Sequence, residues 1–122
     1  MNRIENQITD KEAIVEAWGE NFAEIADNPR IIFTDEAIFI KLKKPLKTSD
    51  GETDMLRIEE PDVAQLRSMD AVKGDVGKTA VLLANIADMP EASANKVKAS
   101  DFTLFNKVLG CFLIDGPQTT EN

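Results

Sequence analysis

Residues 37–43 read Ala-Ile-Phe-Ile-Lys-Leu-Lys, and their alternating pattern decides the fold class. The aliphatic side chains of this stretch share one face of an extended chain, and they are Ile38, Ile40 and Leu42. The other face holds Phe39, Lys41 and Lys43. An alternation of period two is typical of a β-strand that buries one face. We therefore predict a half-buried strand here, which Pro45 closes.

Two further extended segments lie on either side of this strand. Residues 31–33 form a short apolar run, and residues 53–58 place Leu56 and Ile58 on one face. Ser49-Asp50-Gly51 supplies the residue types of a tight turn between the second and third segments. Together the three segments predict a β-hairpin or a three-stranded meander.

A helix is predicted ahead of the sheet, over residues 10–26. Thr9 followed by Glu12 matches a capping box, in which each side chain satisfies a free backbone N–H at a helix start. Asn28-Pro29 ends the helix, because proline disfavours helical geometry in the residue before it. The large apolar residues of this helix fall on one stripe at helical spacing, and they are Ile14, Trp18, Phe22 and Ile25.

A column of glutamates occupies the opposite side of this helix, at Glu12, Glu16, Glu20 and Glu24. Like charges at this spacing oppose the helix by about 0.2–0.5 kcal/mol per pair. Such a column is most often a solvated helix face. The alternative is a docking face for a basic partner, or for the basic segment from Lys41 to Lys47.

After the sheet segments the apolar spacing changes to that of helices. Asp62 and Gln65 form a second capping signal, and the helix that they start is predicted to stop near Lys73-Gly74. Three more helical segments are predicted, over residues 76–87, 91–96 and, from a cap at Ser100, 100–113.

These segments predict an α+β fold, in which a small β-hairpin or three-stranded meander packs with three to four helices and is preceded by an N-terminal helix. We divide the chain into an N-terminal helical extension (residues 1–33), an α+β domain (residues 34–114) and a disordered tail (residues 115–122). A chain of 122 residues has room for one such domain.

The chain is acidic, with 14 basic and 22 acidic residues and a net charge of −8. Its basic island consists of Lys41, Lys43, Lys44 and Lys47. An acidic surface repels phosphate backbones, so we expect no nucleic-acid partner. No apolar run approaches the roughly 20 residues of a transmembrane helix, so we expect no membrane partner. A single cysteine and the lack of a signal-peptide pattern favour the cytoplasm.

Residue types that carry catalysis are scarce in this sequence. It has no histidine, so the single cysteine, Cys111, has no imidazole to activate it, and a zinc site lacks its usual ligands. Gly77-Lys78-Thr79 ends like a phosphate-binding loop, but Val72 stands where that motif needs its first glycine. We therefore expect no enzyme activity, no cofactor and no metal site, with Cys111 as a small buried hydrophobic residue.

The last predicted helix carries a second aromatic stripe. Such a stripe lies in the core more often than on the surface, but this chain has two stripes and only a small sheet to bury both. We therefore predict that one stripe is exposed for a partner. The candidate partner-binding residues are Trp18, Phe22, Phe102, Phe105, Leu109 and Phe112.

The order and spacing of these elements resemble the tail assembly chaperone family of Mu-type and related tailed phages. The resemblance covers residues 38–113 and rests on several short pieces taken together. These pieces are Ile38-Phe39-Ile40-Lys41-Leu42, Lys44-Pro45, Asp50-Gly51, Ile58-Glu59-Glu60-Pro61, Val63, Leu66, Leu82-Leu83, Ile86, Met89-Pro90, Asp101-Phe102 and Phe112-Leu113. Family members usually show a glycine near the position of Asp88.

The resemblance implies a chaperone for the tape-measure protein, the long helical rod that fixes tail length. Such a chaperone covers apolar helix stripes of the rod, by groove-like capture, until tail tube subunits replace it. The resemblance also implies a protein of the host cytoplasm that is absent from the mature virion. Further copies of the chain are candidate partners, because several copies along one rod would bind with avidity.

Two other functions fit the same composition. One is a structural tail or neck subunit, which would stay in the virion. The other is an acidic inhibitor that mimics DNA and occupies a basic host protein, although the basic island at Lys41 to Lys47 argues against it.

Overall fold

The computed structural model describes residues 6–48 and 51–113. In chain order its elements are α1 (Lys11–Trp18), a 3-10 helix (Glu20–Ile25), β1 (Ile31–Phe33), β2 (Ile38–Thr48), β3 (Gly51–Ile58), α2 (Val63–Arg67), α3 (Asp75–Ile86), α4 (Glu91–Ala94) and α5 (Ala99–Leu113). The fold is α+β, with a three-stranded antiparallel meander and several helices that include an N-terminal one, as predicted. The predicted tail at 115–122 and Ser49-Asp50 of the predicted turn lie outside the described residues.

The sheet has the strand order β1-β2-β3, and its register confirms which face is buried. Residues directly opposite each other in antiparallel strands share a face of the sheet. Where the pairing is regular, from Ile38 to Lys41 of β2, the opposed residues of the inner face are all buried, and the pairs are Ile31 with Ile40, Phe33 with Ile38, Ile38 with Ile58, and Ile40 with Leu56. The helices supply the other half of this hydrophobic core.

Strand β2 runs through Pro45 to Thr48, so the prediction that Pro45 closes the strand was wrong. The pairing of β2 with β3 shifts between Lys41 and Leu46, where residues 42–45 lie opposite a single residue, Asp54. A bulge of this kind takes backbone groups out of the ladder. Pro45 lies inside it, where its missing N–H costs no ladder hydrogen bond.

The N-terminal helix differs from its prediction at both ends. It is capped by Asp10, whose side chain accepts a hydrogen bond from the N–H of Ala13 at 3.1 Å, rather than by a Thr9 capping box. It ends at Trp18 because Gly19 has φ +117°, which an α-helix cannot contain. The chain continues as a 3-10 helix that buries Phe22 and Ile25.

The helices after the sheet keep their predicted order with different bounds. The Asp62–Gln65 capping box forms, but α2 ends at Arg67 and not near residue 73. Its backbone hydrogen bonds then reach back three residues rather than four, as from Met69 N–H to the Leu66 carbonyl at 3.2 Å, so separate turns follow. At the far end, α5 begins one residue ahead of the predicted Ser100 cap.

One hydrophobic cluster contains residues from both ends of the described chain. Ile14 and Phe22, from the segment predicted as an extension, lie in the same cluster as Phe105 and Val108 of α5. Within the described residues, no helix combines the length and the apolar composition needed to span a membrane.

Candidate functional site

The two aromatic stripes of the sequence pack against each other. The ring centroid of Phe112, near the end of α5, lies 5.8 Å from that of Trp18 and 5.0 Å from that of Phe22, with the rings near perpendicular in both pairs. Phe22 in turn contacts Phe33 of β1 edge-on, at 6.3 Å. Edge-to-face contacts at these distances are favourable for aromatic rings. Phe112 thus joins the two stripes, and residues of both lie in one core, which the prediction of one exposed stripe did not foresee.

The six predicted partner-binding residues divide into two groups. Phe22, Phe105 and Leu109 are core residues with 2%, 0% and 7% exposure, and no partner can reach them while the fold is intact. Trp18, Phe102 and Phe112 are half-buried. Their rings pack against the core and remain partly exposed.

Trp18 is held in place by a polar contact as well as by its neighbours. Its indole N–H donates to the backbone carbonyl of Thr34, in the turn between β1 and β2, at 2.8 Å. Because a buried indole N–H without a partner is costly, this bond fixes the orientation of the ring. Trp18 thereby joins the N-terminal helix to the sheet.

Beside this aromatic cluster, an open groove of about 560 Å³ separates the 3-10 helix from the last turns of α5. The 3-10 helix supplies four of its lining residues, which are Glu20, Asn21, Glu24 and Ile25. Helix α5 supplies Asn106, Lys107, Gly110, Cys111 and Leu113. The volume is within the range of about 300–1,000 Å³ that binding pockets occupy.

The groove has an apolar floor and a charged rim. Ile25, Cys111 and Leu113 provide the apolar surface. Gly110 has no side chain, so α5 does not project into the groove at that position. No atom lies within 4 Å of the point where a side chain at Gly110 would begin. Glu20 and Glu24 are exposed on the opposite wall, and Lys107 is exposed on the α5 wall.

The end of α1 at Gly19 divides the predicted glutamate column into two pairs. Glu12 and Glu16 lie on α1, whereas Glu20 and Glu24 lie on the 3-10 helix beyond the break at Gly19. All four are exposed, and within residues 6–48 and 51–113 none forms an ion pair. Only the second pair borders the groove.

Cys111 packs against the core but lies partly exposed in the groove, so the prediction of a buried cysteine was correct only in part. Burial raises the pKa of its thiol above the ordinary value, and the negative charge of Glu24 raises the pKa further. A raised pKa keeps the thiol protonated at neutral pH, and the protonated thiol is a poor nucleophile. The groove therefore offers a weakly polar, apolar-lined surface at this position.

Sequence reasoning did not identify the groove, although it singled out the residues around it. The one signal was Gly110, a glycine inside the most apolar predicted helix, where glycine costs about 1 kcal/mol relative to alanine. Across the part of the chain that the structure describes, no group of three or more His, Cys, Asp or Glu side chains could hold a metal ion.

No protein-family model, no curated protein and no solved structure matches this chain.

Proposed function

We propose that this chain is a tail assembly chaperone that binds an amphipathic helix of the tape-measure protein in the groove between the 3-10 helix and α5. The observation that carries the proposal is one open groove that combines an apolar floor with an acidic wall at Glu20 and Glu24, while Lys107 lies on the α5 wall. The order of sequence elements, which resembles the chaperone family, supplies the identity of the client. No reaction, cofactor or metal is part of the proposal.

The groove has the features that are needed to bind one face of a helix. An amphipathic helix presents apolar residues three and four positions apart, and these would contact Ile25, Cys111 and Leu113. Lysine or arginine residues flanking that stripe would lie near Glu20 and Glu24. Charges of opposite sign at the rim favour encounter and orientation more than final affinity.

The size of the groove favours weak, reversible binding by one copy. Burying a single aliphatic side chain contributes about 1.5–3 kcal/mol, and much of this is offset by the cost of association. Several copies along one rod would gain avidity, and tail tube subunits could still displace them one at a time. A protein used in this way would act in the host cytoplasm and be missing from the finished virion.

Co-expression with the tape-measure protein tests the proposal. We expect the rod to remain in the soluble fraction and to co-purify with this chain. Gly110→Trp, which fills the groove where space is open, should abolish co-purification without unfolding the protein. Thr103→Trp is the matched control, because Thr103 is exposed on the same helix and does not line the groove. An insoluble rod that never co-purifies with the unmodified chain would rule the function out.

A structural tail or neck subunit remains the rival function. Quantitative mass spectrometry of purified virions separates the two, because a chaperone should be absent and a subunit should be present in fixed copy number. The inhibitor that mimics DNA is favoured by no observation, since the glutamate column is broken at Gly19 into two separate pairs.

A further inference from the structure

The outer face of the sheet carries apolar side chains that do not belong to the core. Ile32 lies opposite Phe39, Phe39 opposite Arg57, and Lys41 opposite Met55, so these five residues share one face. Ile32, Phe39 and Met55 are half-buried, yet none of them packs against the hydrophobic core cluster. We call this surface the outer sheet face.

Cations accompany these apolar residues. Lys41 is exposed on the outer sheet face, and Lys43 follows two positions along the same strand, also exposed. Arg57 forms an ion pair with Glu59, whereas neither lysine has an ion pair among the described residues. The outer sheet face is thus apolar and basic in a protein whose net charge is −8.

Helix α1 presents the complementary surface. Its exposed residues are Glu12, Glu16 and Ala17, with Lys11 at the start of the helix, and neither glutamate has an ion pair within the described chain. Ala17 is small enough for the helix backbone to approach an apolar sheet surface closely. This surface of α1 lies away from the groove, which is lined by the 3-10 helix and α5.

The spacings of the two surfaces match. Residues four apart on an α-helix are separated by about 6 Å along its axis, and residues two apart on a strand by about 6.6 Å. Glu12 can therefore stand opposite Lys41, the last regularly paired residue, with Glu16 one turn further along, toward the bulge that contains Lys43. An eight-residue helix is about 12 Å long, which is enough to cover this part of the strand.

We infer that the outer sheet face binds α1 of a second copy of this chain. The contact is head-to-tail, because an acidic helix of one copy meets a basic sheet face of the next. After one contact each copy keeps one free surface, and the pair keeps one of each kind, so the contact can propagate into a row. A two-fold contact between two outer sheet faces is disfavoured, since it brings Lys41 and Arg57 of both copies together.

Sedimentation velocity at low and high salt tests the inference. At 30 mM NaCl the mean mass should rise with protein concentration above the 13.5 kDa of one chain. At 500 mM NaCl it should return to that of the monomer, because exposed charge pairs are then screened. A mass of one chain at every concentration and low salt, or association that salt does not change, would overturn the inference.

Charge reversal identifies the surfaces. Lys41→Glu and Glu16→Lys should each abolish association alone, and an equimolar mixture of the two should give a new species of two chains that does not grow further. That mixture retains one working pair, the outer sheet face of the Glu16→Lys chain and α1 of the Lys41→Glu chain. Lys96→Glu and Glu91→Lys, exposed elsewhere, are controls of equal charge change and should associate normally.

A variant without a charge change separates loss of association from effects of charge on folding. Phe39→Ser removes apolar contact without changing charge and should also weaken association at low salt, with circular dichroism confirming the fold. Failure of the mixed variants to pair, or association by Phe39→Ser equal to that of the unmodified chain, would overturn the inference. The inference is independent of client binding, since Lys41→Glu leaves the groove intact and Gly110→Trp leaves both self-association surfaces intact.

Discussion

The carboxylate of Asp101, in the first turn of α5, accepts the backbone N–H of Lys43 through both oxygens, at 3.1 and 3.2 Å. Lys43 lies in the bulge of β2, where its N–H has left the ladder with β3. Asp101 is 1% exposed and also forms an ion pair with Arg30, whose guanidinium donates to the Lys41 carbonyl at 2.7 and 2.9 Å. One buried carboxylate therefore fixes the start of α5 against the irregular part of the sheet.

Asp101→Ala should lower the free energy of unfolding by about 2–3 kcal/mol, because it leaves a buried N–H and a partly buried guanidinium without their acceptor. Asp101→Asn keeps one acceptor oxygen and should cost about half as much. Urea denaturation followed by circular dichroism measures both. Asp75→Ala removes a charge from the first turn of α3 and should cost less than about 1 kcal/mol. Equal losses for Asp101→Ala and Asp75→Ala would contradict this account.

Phe105→Asp should unfold the protein. Phe105 is 0% exposed at the centre of the core cluster, and an unpaired carboxylate there costs more than about 4 kcal/mol. Asn106→Asp adds the same charge at the next residue of α5, which is exposed, and should leave the far-ultraviolet circular dichroism spectrum unchanged. A folded Phe105→Asp protein would show that this stripe is a surface and not a core.

Gly110→Ala should stabilise the protein by about 0.5–1 kcal/mol, because alanine favours a helix and the new methyl group meets no atom within 4 Å. Gly77→Ala, in α3, is the matched comparison. There the added carbon would lie 3.1 Å from a methyl carbon of Val72, so its gain should be smaller or absent. Thermal unfolding measures the stability of both variants. A larger gain in stability for Gly77→Ala than for Gly110→Ala would be inconsistent with the packing around the two glycines.

The Cys111 thiol should react slowly with iodoacetamide at neutral pH and faster as the pH rises past the ordinary pKa of a cysteine. Its pKa is raised, first by burial and then by Glu24, so at any given pH less thiolate is present than in a free thiol. Glu24→Gln removes the second cause and should move the midpoint of the rate–pH profile to lower pH. Burial keeps that midpoint above the value of a free thiol.

Glu16→Gln makes the same change of charge on α1 and should leave the Cys111 profile where it is. Identical shifts for the two glutamine variants would mean that overall charge, and not the neighbouring carboxylate, sets the thiol pKa. A bound tape-measure helix should also protect Cys111 from alkylation, because the thiol lines the groove.

Asp88→Gly should stabilise the protein by about 0.5 kcal/mol, because Asp88 has φ +57° and glycine adopts this conformation without strain. The residue follows the end of α3, where Met89 N–H donates back to the Ala84 carbonyl at 2.9 Å. Ala87→Gly, one position earlier at φ −85°, should instead destabilise the protein by about 0.5–1 kcal/mol. Chemical denaturation measures whether the free energy of unfolding rises or falls in each variant.

Elements with a strong periodic signal could be predicted from the sequence. The alternation around Ile38 and Ile40 predicted a strand and its buried face, and the Asp62–Gln65 pair predicted a helix start, because both signals act between residues near in sequence. Helix ends were predicted less well. Gly19 and the turns after Arg67 stop helices whose apolar spacing continues past them, so periodicity alone could not reveal the stop.

The candidate groove could not be predicted, because it lies between elements that are distant in the chain. Its walls come from the 3-10 helix and from α5, and their approach depends on the contact of Phe112 with Phe22 and on the hydrogen bond that the Lys43 backbone N–H donates to Asp101. Apolar spacing locates both aromatic stripes in the sequence, but it does not show that residues of both meet in one core.

The amino-acid sequence by itself determined the α+β class, a sheet that is either a hairpin or a meander, the inner face of that sheet and the uneven distribution of charge. These properties follow from alternation, capping and composition, which act over a few residues. Only the tertiary structure decided that Phe22 and Phe105 are core, that Cys111 and Gly110 border a groove, and that the outer sheet face has no cover from the core. The physical reason is that burial depends on which distant surfaces meet, and local pattern shows only that a surface is apolar.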